Sequence, residues 1–323
     1  MNGNWRKPPI ADFKNTILLY NPYAGKFVRT DGSLIDRIVE TLTKQGHNVT
    51  LTPTDRPGNA STIVRQHIER GADLVIAAGG DGTINEVAEG VAHTTVPMAI
   101  LPAGTANVLA CELKMGWDPV RAAERLGAFV PRRISLGHVT CDEGRVSRHF
   151  VLMAGIGVDA HIVYHLSGPL KTQAGKLAYW IAGGSLLGKR LPQICAEAGG
   201  HKYICSFALL SKVKNYGGDF EIAQEVTLFD NRFEAVLFEG RSATRYLTYL
   251  IGLMTRRLGR MSGVSVIRTD SMKLWGPNDS RVYVQIDGEY AGRLPASIRV
   301  VPDALTMLLP KEYCGDGGST PAG

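Results

Sequence analysis

The chain has 323 residues, 44% of them hydrophobic and 20% charged. That composition and length suit two globular domains with real cores, and exclude a fibrous chain, a disordered chain and a disulfide-stapled miniprotein. A net charge of +6 favours an anionic partner, without choosing among nucleotide, acidic membrane and nucleic acid. Cys111, Cys141, Cys195, Cys205 and Cys314 are scattered, odd in number and free of any C-x-x-C pair. They read as reduced thiols of a cytosolic protein rather than a disulfide framework or a zinc site. The first residues lack the apolar core of a signal peptide, and no apolar run approaches the ~18 residues that span a bilayer.

In chain order, "TILLYN" (16–21) reads as a strand. A helix follows with Leu34, Ile35, Ile38, Val39 and Leu42 on one face, closed by Gly46. "HNVTLTPT" (47–54) is a second strand, and Ile63, Val64 and Ile68 mark a helix ending at Gly71. "DLVIAA" (73–78) is apolar throughout, as a fully buried parallel strand is. "PMAILPAG" (97–104) is another, followed by a helix over 106–115. This β-α-β-α order predicts an α/β fold with an N-terminal doubly wound parallel sheet. From Ile134 onward the pattern changes. Two strands flank an Asp-Glu-Gly turn, and β-like runs follow at 203–210, 219–229, 233–239, 264–275 and 281–286. These predict a mainly antiparallel β-sandwich domain interrupted by helix-like insertions near 171–189 and 242–259. The expected boundaries are 13–133 for the α/β domain, completed by 302–312, and 134–301 for the β-rich domain. Residues 313–323 read as a disordered tail.

Chemistry concentrates where "AAGGDGTINEVAEG" (77–90) joins a strand to a helix. Ile84, Val87, Ala88 and Val91 form the helix's apolar face, while Asn85, Glu86 and Glu89 lie off it. Thr83 and Glu86 form a T-x-x-E capping box. A cap alone does not call for Gly79, Gly80 and Gly82 together. Helix N-termini carry unpaired N–H groups and a positive dipole end, and glycines admit a phosphate to the backbone, so this turn is a candidate phosphate site. Competing nucleotide motifs fail. "NPYAGKF" lacks the first glycine and the hydroxyl residue of a Walker A loop. "GIGVDA" (155–160) has the glycine spacing of a dinucleotide fold, but no Asp or Glu follows from Ala160 to Ala196.

The ordered set "NPYAG", "GGDGTINE", "PAGTAN", "AGIGVDA", "NYGG" and "DGE" resembles the diacylglycerol kinase catalytic domain family, over about residues 13–312. The late "DGE" and "PAGTAN" favour the bacterial diacylglycerol- and sphingosine-kinase-like branch over NAD kinases, which share GGDG-type turns. The resemblance implies ATP bound by Asn21, Pro22, Tyr23, Ala24, Gly25, Thr54, Gly79, Gly80, Asp81, Gly82, Thr83, Ile84, Asn85, Glu86 and Thr105. By residue type alone, Asn-Pro is also a turn starter and Thr105 also a helix cap. The resemblance places the general base at Glu289, with Asp287 beside it, and gives Asp81 the catalytic Mg²⁺ that arrives with ATP. An alcohol nucleophile needs such a carboxylate; Asp-Gly between alternating strands is equally a hairpin signal. "TLFDNRF" (227–233) matches the family's structural magnesium loop, with Asp230 and the carbonyls of Thr227 and Arg232 as ligands. Asn231 replaces the usual glycine, and Arg232 is an unusual neighbour for an ion.

The expected activity is transfer of the γ-phosphate of ATP to a hydroxyl of a membrane lipid. The alternatives are an NAD kinase-like enzyme with a soluble substrate and a silent nucleotide- or lipid-binding regulator. Basic, apolar segments at 176–190 and 246–260 suit peripheral contact with an anionic membrane, at the inner face of a cytoplasmic protein. For 246–260 a core-facing helix is the stronger expectation. No nucleic-acid module is present. The acceptor lipid stays open, as does oligomeric state, a homodimer included.

Overall fold

The computed structural model describes residues 13–30, 32–157, 191–216, 220–240, 242, 245, 248, 249, 252, 255, 257–276 and 282–315. The chain divides into two compact units, residues 1–134 with 304–323 and residues 135–303.

In the first unit the parallel strands β1 (Asn15–Tyr20), β2 (Asn48–Pro53), β3 (Leu74–Gly79) and β4 (Met98–Pro102) lie in the order β2-β1-β3-β4. Every residue of β3 and β4 is buried, which is why both segments are unbroken apolar runs. The edge strand β2 is largely open to solvent, and Asn48, Thr50 and Thr52 alternate there with Val49, Leu51 and Pro53. Helices α1 (Gly25–Arg29), α2 (Ser33–Lys44), α3 (Ala60–Glu69), α4 (Asp81–Val91), α5 (Val108–Glu112) and α6 (Pro119–Arg125) connect the strands or follow them. Helix α2 buries Leu34, Ile35, Ile38 and Leu42, and α4 buries Ile84, Val87, Ala88 and Val91. Each buried Leu, Ile or Val among these contributes about 1.5–3 kcal/mol. Helices α3 and α4 pack closely through Gly90, where a Cβ would stand 2.7 Å from the Ser61 carbonyl oxygen.

Among the described residues the second unit is mainly β, with helical conformation at Arg245, Thr248, Tyr249 and Gly252 and a 3-10 turn over Leu258–Arg260. One antiparallel sheet runs β14-β13-β10-β7-β16-β17. Its strands are β7 (Met153–Gly157), β10 (Phe207–Ser211), β13 (Phe233–Phe238), β14 (Val264–Thr269), β16 (Tyr283–Ile286) and β17 (Glu289–Arg293). A second antiparallel set contains β8 (Ile194–Ala198), β9 (His201–Cys205), β15 (Ser271–Trp275) and the first residues of β18 (Ala296–Leu309). Strand β5 (Val130–Cys141) pairs with β6 (Val146–Phe150). The short strands β11 (Asn215–Tyr216) and β12 (Phe220–Glu221) pair with each other. The two sets enclose one apolar core that includes Phe150, Ile156, Ile194, Leu210, Phe233, Leu237, Leu274 and Ile298. The Phe150 and Phe233 rings stack with centroids 5.8 Å apart.

The architecture is the expected one, an α/β unit followed by a mainly antiparallel sandwich. Two details differ. The helix expected over 106–115 spans only Val108–Glu112, because Asn107 takes a left-handed conformation at φ 44° and breaks it at the start. The strand expected over 219–229 is confined to Phe220–Glu221. Beyond it the Glu234 carboxylate accepts the Gln224 and Glu225 N–H groups in place of a sheet partner. The end of β18, Ala304–Leu309, returns to the first unit, where Met307 stands opposite Met98 of β4. A final short helix, α7, spans Lys311–Cys314.

Candidate nucleotide site and catalytic carboxylates

In the first unit, the polar turns sit at the carboxyl ends of the parallel strands, where doubly wound sheets bind ligands. Asn21 follows β1 directly. Its Oδ1 accepts the Tyr23 N–H at 2.9 Å, forming a local turn, and its Nδ2 reaches Thr83 Oγ1 at 3.4 Å. The Lys26 N–H donates to the Ala103 carbonyl at 3.2 Å, and the Thr54 N–H to the Tyr20 carbonyl at 2.8 Å. These bonds gather the turns after β1, β2, β3 and β4 along one edge. Gly80 and Gly104 meet backbone to backbone: a Cβ on Gly104 would lie 2.4 Å from the Gly80 Cα.

Gly80 is the N-cap of α4, in extended conformation, and no side chain caps this end. The expected Thr83–Glu86 capping box is therefore absent. The Glu86 carboxylate instead accepts the Gly58 N–H at 2.7 Å and the Ala60 N–H at 3.1 Å, holding the start of α3. Asn85 is buried, and Thr105 and Tyr23 are exposed. Asp81 turns toward α5. Its two carboxylate oxygens accept the Val108 N–H at 3.0 Å and the Leu109 N–H at 3.2 Å. Asn107 braces the same loop through Gly104, donating to its carbonyl and accepting its N–H, both at 2.9 Å.

Lys26 belongs to no motif, yet it ties this edge together. Its ammonium donates to the Pro102 carbonyl at 3.1 Å and to the Trp117 carbonyl. Burial lowers its pKa, and Asp118 opposes that shift.

The two candidate carboxylates at "DGE" lie in the second unit and differ sharply. Asp287 and Gly288 both have positive φ, 49° and 80°, as the tight turn joining β16 to β17 requires. Asp287 is buried, and its carboxylate accepts the N–H groups of Val151, Leu152 and Met153 at 2.8–2.9 Å. This carboxylate is committed to three backbone donors. Through them Asp287 fixes the segment leading into β7. Glu289 is about one third exposed, with Arg148 of β6 at 3.8 Å. Nothing in the sequence singles out Arg148 beyond its place in an alternating strand.

The 227–232 loop also departs from expectation. Asp230 Oδ2 accepts the Thr227 N–H at 2.7 Å and the Thr227 hydroxyl at 2.8 Å, and Oδ1 accepts from Arg268 at 3.2 Å. The Thr227 carbonyl accepts the Asp230 N–H at 3.1 Å. The Asp230 carbonyl accepts from the Lys212 ammonium and from the Ser135 hydroxyl. The Lys212 ammonium and the Arg268 guanidinium already stand beside Asp230, and this positive charge disfavours a divalent ion there. Among the described residues, no group of three or more His, Cys, Asp or Glu side chains is placed to hold a metal. Burial pushes the Lys212 pKa down to about 8, against the pull of Asp230.

The basic segment 171–190 lies outside the described residues, as do residues 158–160 of "GIGVDA" and 217–218 of "NYGG". Within 246–260, Tyr249 and Leu258 are buried, and the Tyr249 hydroxyl donates to the Glu239 carbonyl at 2.8 Å. Arg257 and Arg260 are exposed. Among the described residues no helix is long and apolar enough to cross a membrane.

The family model of the diacylglycerol kinase catalytic domain matches residues 15–139, the stretch that contains all four turns of the first unit. The resemblance is to the diacylglycerol kinase family. A diacylglycerol kinase of Bacillus subtilis (strain 168) is 26% identical over 306 residues, covering 93% of this chain and 97% of its own. One from Staphylococcus epidermidis (strain ATCC 12228) is 27% identical over 313 residues, 93% of each chain. A crystal structure of a diacylglycerol kinase from Bacillus anthracis str. Sterne superposes with a TM-score of 0.73 at 20% identity, covering 92% of this chain and 98% of that one. At that identity the superposition shows a shared fold. The sequence likeness to diacylglycerol kinases extends over nearly the whole chain.

Proposed function

We propose that this chain is an ATP-dependent lipid kinase that moves the γ-phosphoryl group of ATP to a hydroxyl of a membrane lipid, diacylglycerol-like or sphingoid. The observation that carries the reading is the glycine turn: Gly80, without a side chain, is the N-cap of α4, and its backbone approaches Gly104 so closely that Gly104 has no room for a larger residue. Such an end suits a phosphate. Asn21 to Gly25, Thr54, Gly79 to Thr83 and Thr105 hold the nucleotide in this reading. Ile84 and Asn85 are buried in α4, and Glu86 is taken by α3, so those three shape the site without touching ligand.

ATP would supply the phosphoryl group, with ADP as the leaving group, and Mg²⁺ bound with it would offset the phosphate charge; Asp81 would hold that ion. Glu289 takes the proton from the acceptor hydroxyl at its carboxylate, and the hydroxyl oxygen becomes nucleophilic as the proton leaves. Arg148, 3.8 Å from the carboxylate, orients Glu289 for that transfer. Asp287 keeps the turn rigid, so that Glu289 emerges at a fixed point at the start of β17.

The test is transfer of labelled γ-phosphate from ATP into a total lipid extract, with the product identified by mass spectrometry, for wild type and Glu289→Gln. Wild type should label a lipid, and Glu289→Gln should be slower by about 10²–10⁴-fold, the scale of lost general-base help. A folded Glu289→Gln chain with ordinary transfer would remove Glu289 as the base. Label passing only to a soluble dinucleotide would replace the lipid acceptor.

A further inference from the structure

We propose that Lys212 is the resident cation of the 227–232 loop, holding it through the Asp230 carbonyl, and that this loop folds without the magnesium ion that the family resemblance implies. Lys212 is fully buried, although a lysine side chain is almost never so unless it is paired. Its ammonium donates to the Asp230 carbonyl and, at 2.8 Å, to the Ser135 hydroxyl. Ser135 in turn donates to the same Asp230 carbonyl, and its N–H donates to the Leu228 carbonyl at 3.1 Å. One positive group thus lies among a main-chain carbonyl, a hydroxyl and the neighbouring Asp230 carboxylate, the hard oxygen donors that suit a small cation.

Charge and donor geometry both argue against adding an ion. A divalent cation at Asp230 would face the Lys212 ammonium at the same residue's carbonyl and the Arg268 guanidinium 3.2 Å from its carboxylate. The Thr227 carbonyl points to the Asp230 N–H and the Asp230 Oδ2 to Thr227, so the loop closes on itself.

The lysine also reaches the candidate base through the backbone. The Lys212 N–H donates to the Leu152 carbonyl at 2.8 Å, and the Leu152 N–H donates to Asp287 at 2.9 Å. The loop, the lysine and the turn carrying Glu289 form one hydrogen-bonded chain. A built-in ammonium makes that chain independent of ion supply, leaving the ion carried by the nucleotide as the enzyme's metal requirement.

The proposal is tested without turnover, by melting the nucleotide-free chain in EDTA and in saturating MgCl₂, for wild type, Asp230→Asn and Lys212→Met. Wild type should melt at the same temperature in both, whereas a bound structural ion would raise it by several degrees. Lys212→Met should melt several degrees below wild type in EDTA. A Mg²⁺-dependent rise in wild type that Asp230→Asn abolishes would overturn the proposal. A rise that persists in Asp230→Asn arises elsewhere on the chain and agrees with a metal-free loop. Lys212→Met melting like wild type in EDTA would also overturn it. If Lys212→Met does not fold, the comparison of wild type with Asp230→Asn decides.

Discussion

The Asp81 carboxylate caps a helix twenty-seven residues away, accepting the Val108 N–H at 3.0 Å. One side chain thereby serves the start of α5 while sitting in the first turn of α4. Asp81→Ala should cost about 1 kcal/mol of stability, the usual loss for a removed cap. Asp81→Asn keeps one acceptor oxygen and should cost less. Turnover should vanish in both if Asp81 also holds the nucleotide's magnesium. Melting and phosphoryl transfer on the pair separate the two roles. An Asp81→Asn chain with wild-type turnover would end the metal role, and an unchanged melting temperature for Asp81→Ala would end the cap.

Glu86 offers a contrast within the same motif. Its oxygens are spent on Gly58 and Ala60 at the start of α3. Glu86→Ala should lower stability by about 1 kcal/mol and leave ATP affinity near that of wild type. Nucleotide titration calorimetry beside thermal melting checks this. A large drop in ATP affinity with no change in melting would put Glu86 back among the nucleotide contacts.

At the β16–β17 turn, stability and catalysis should divide between neighbours. Asp287→Ala strands three successive N–H groups at Val151, Leu152 and Met153, all buried. The loss should be roughly 3 kcal/mol or more, since each buried donor left unpaired costs about 1–3 kcal/mol. Glu289→Gln, at a partly exposed position, should stay within about 0.5 kcal/mol of wild type. Urea unfolding of both variants measures this, and equal destabilisation would contradict the division.

The buried thiols give a pH dependence. Burial pushes Cys141 up to about 11 and Cys205 up to about 12, from an ordinary 9.0. The neutral thiol is favoured in the folded chain. Its contribution is therefore complete below pH 9 and is lost as pH rises toward 11–12, while the unfolded thiols ionise first. The fall in melting temperature above pH 9 should be shallower for Cys205→Ala than for wild type. At pH 8, iodoacetamide should modify Cys111, Cys195 and Cys314 well before Cys141 and Cys205. Fast labelling of Cys205 in the native chain, read by mass spectrometry, would refute its burial.

Strands β1, β3 and β4 were legible in the sequence because burial on both faces forces unbroken apolar runs. Strand β18 was not, because Pro302 and Asp303, the latter at φ 47°, interrupt its alternation midway. The ligand-side turns announced themselves through Asn21, Gly79, Gly80 and Gly104, residues chosen for backbone shape. The partners of Asp81 and Glu86 did not, since a side chain that caps a helix distant in sequence leaves no local spacing to read. The T-x-x-E pattern misled because Glu86 found stronger donors across the α3–α4 contact. Lys212 reads as an ordinary surface lysine; only its burial beside Asp230 shows otherwise.

The return of Ala304–Leu309 to the sheet begun by β1 sets a schedule for synthesis. Strand β4 waits for its outer neighbour until the last tenth of the chain has left the ribosome, with the whole second unit translated in between. At 5–20 residues per second that interval is roughly 9–35 s. Through it the nascent first unit carries an open strand edge, and a chaperone or the second unit's own early folding must keep that edge from pairing elsewhere. Chains stalled at residue 134 should therefore be cut by protease in β4 far faster than released full-length chains, which a timed digestion of ribosome-bound chains would measure.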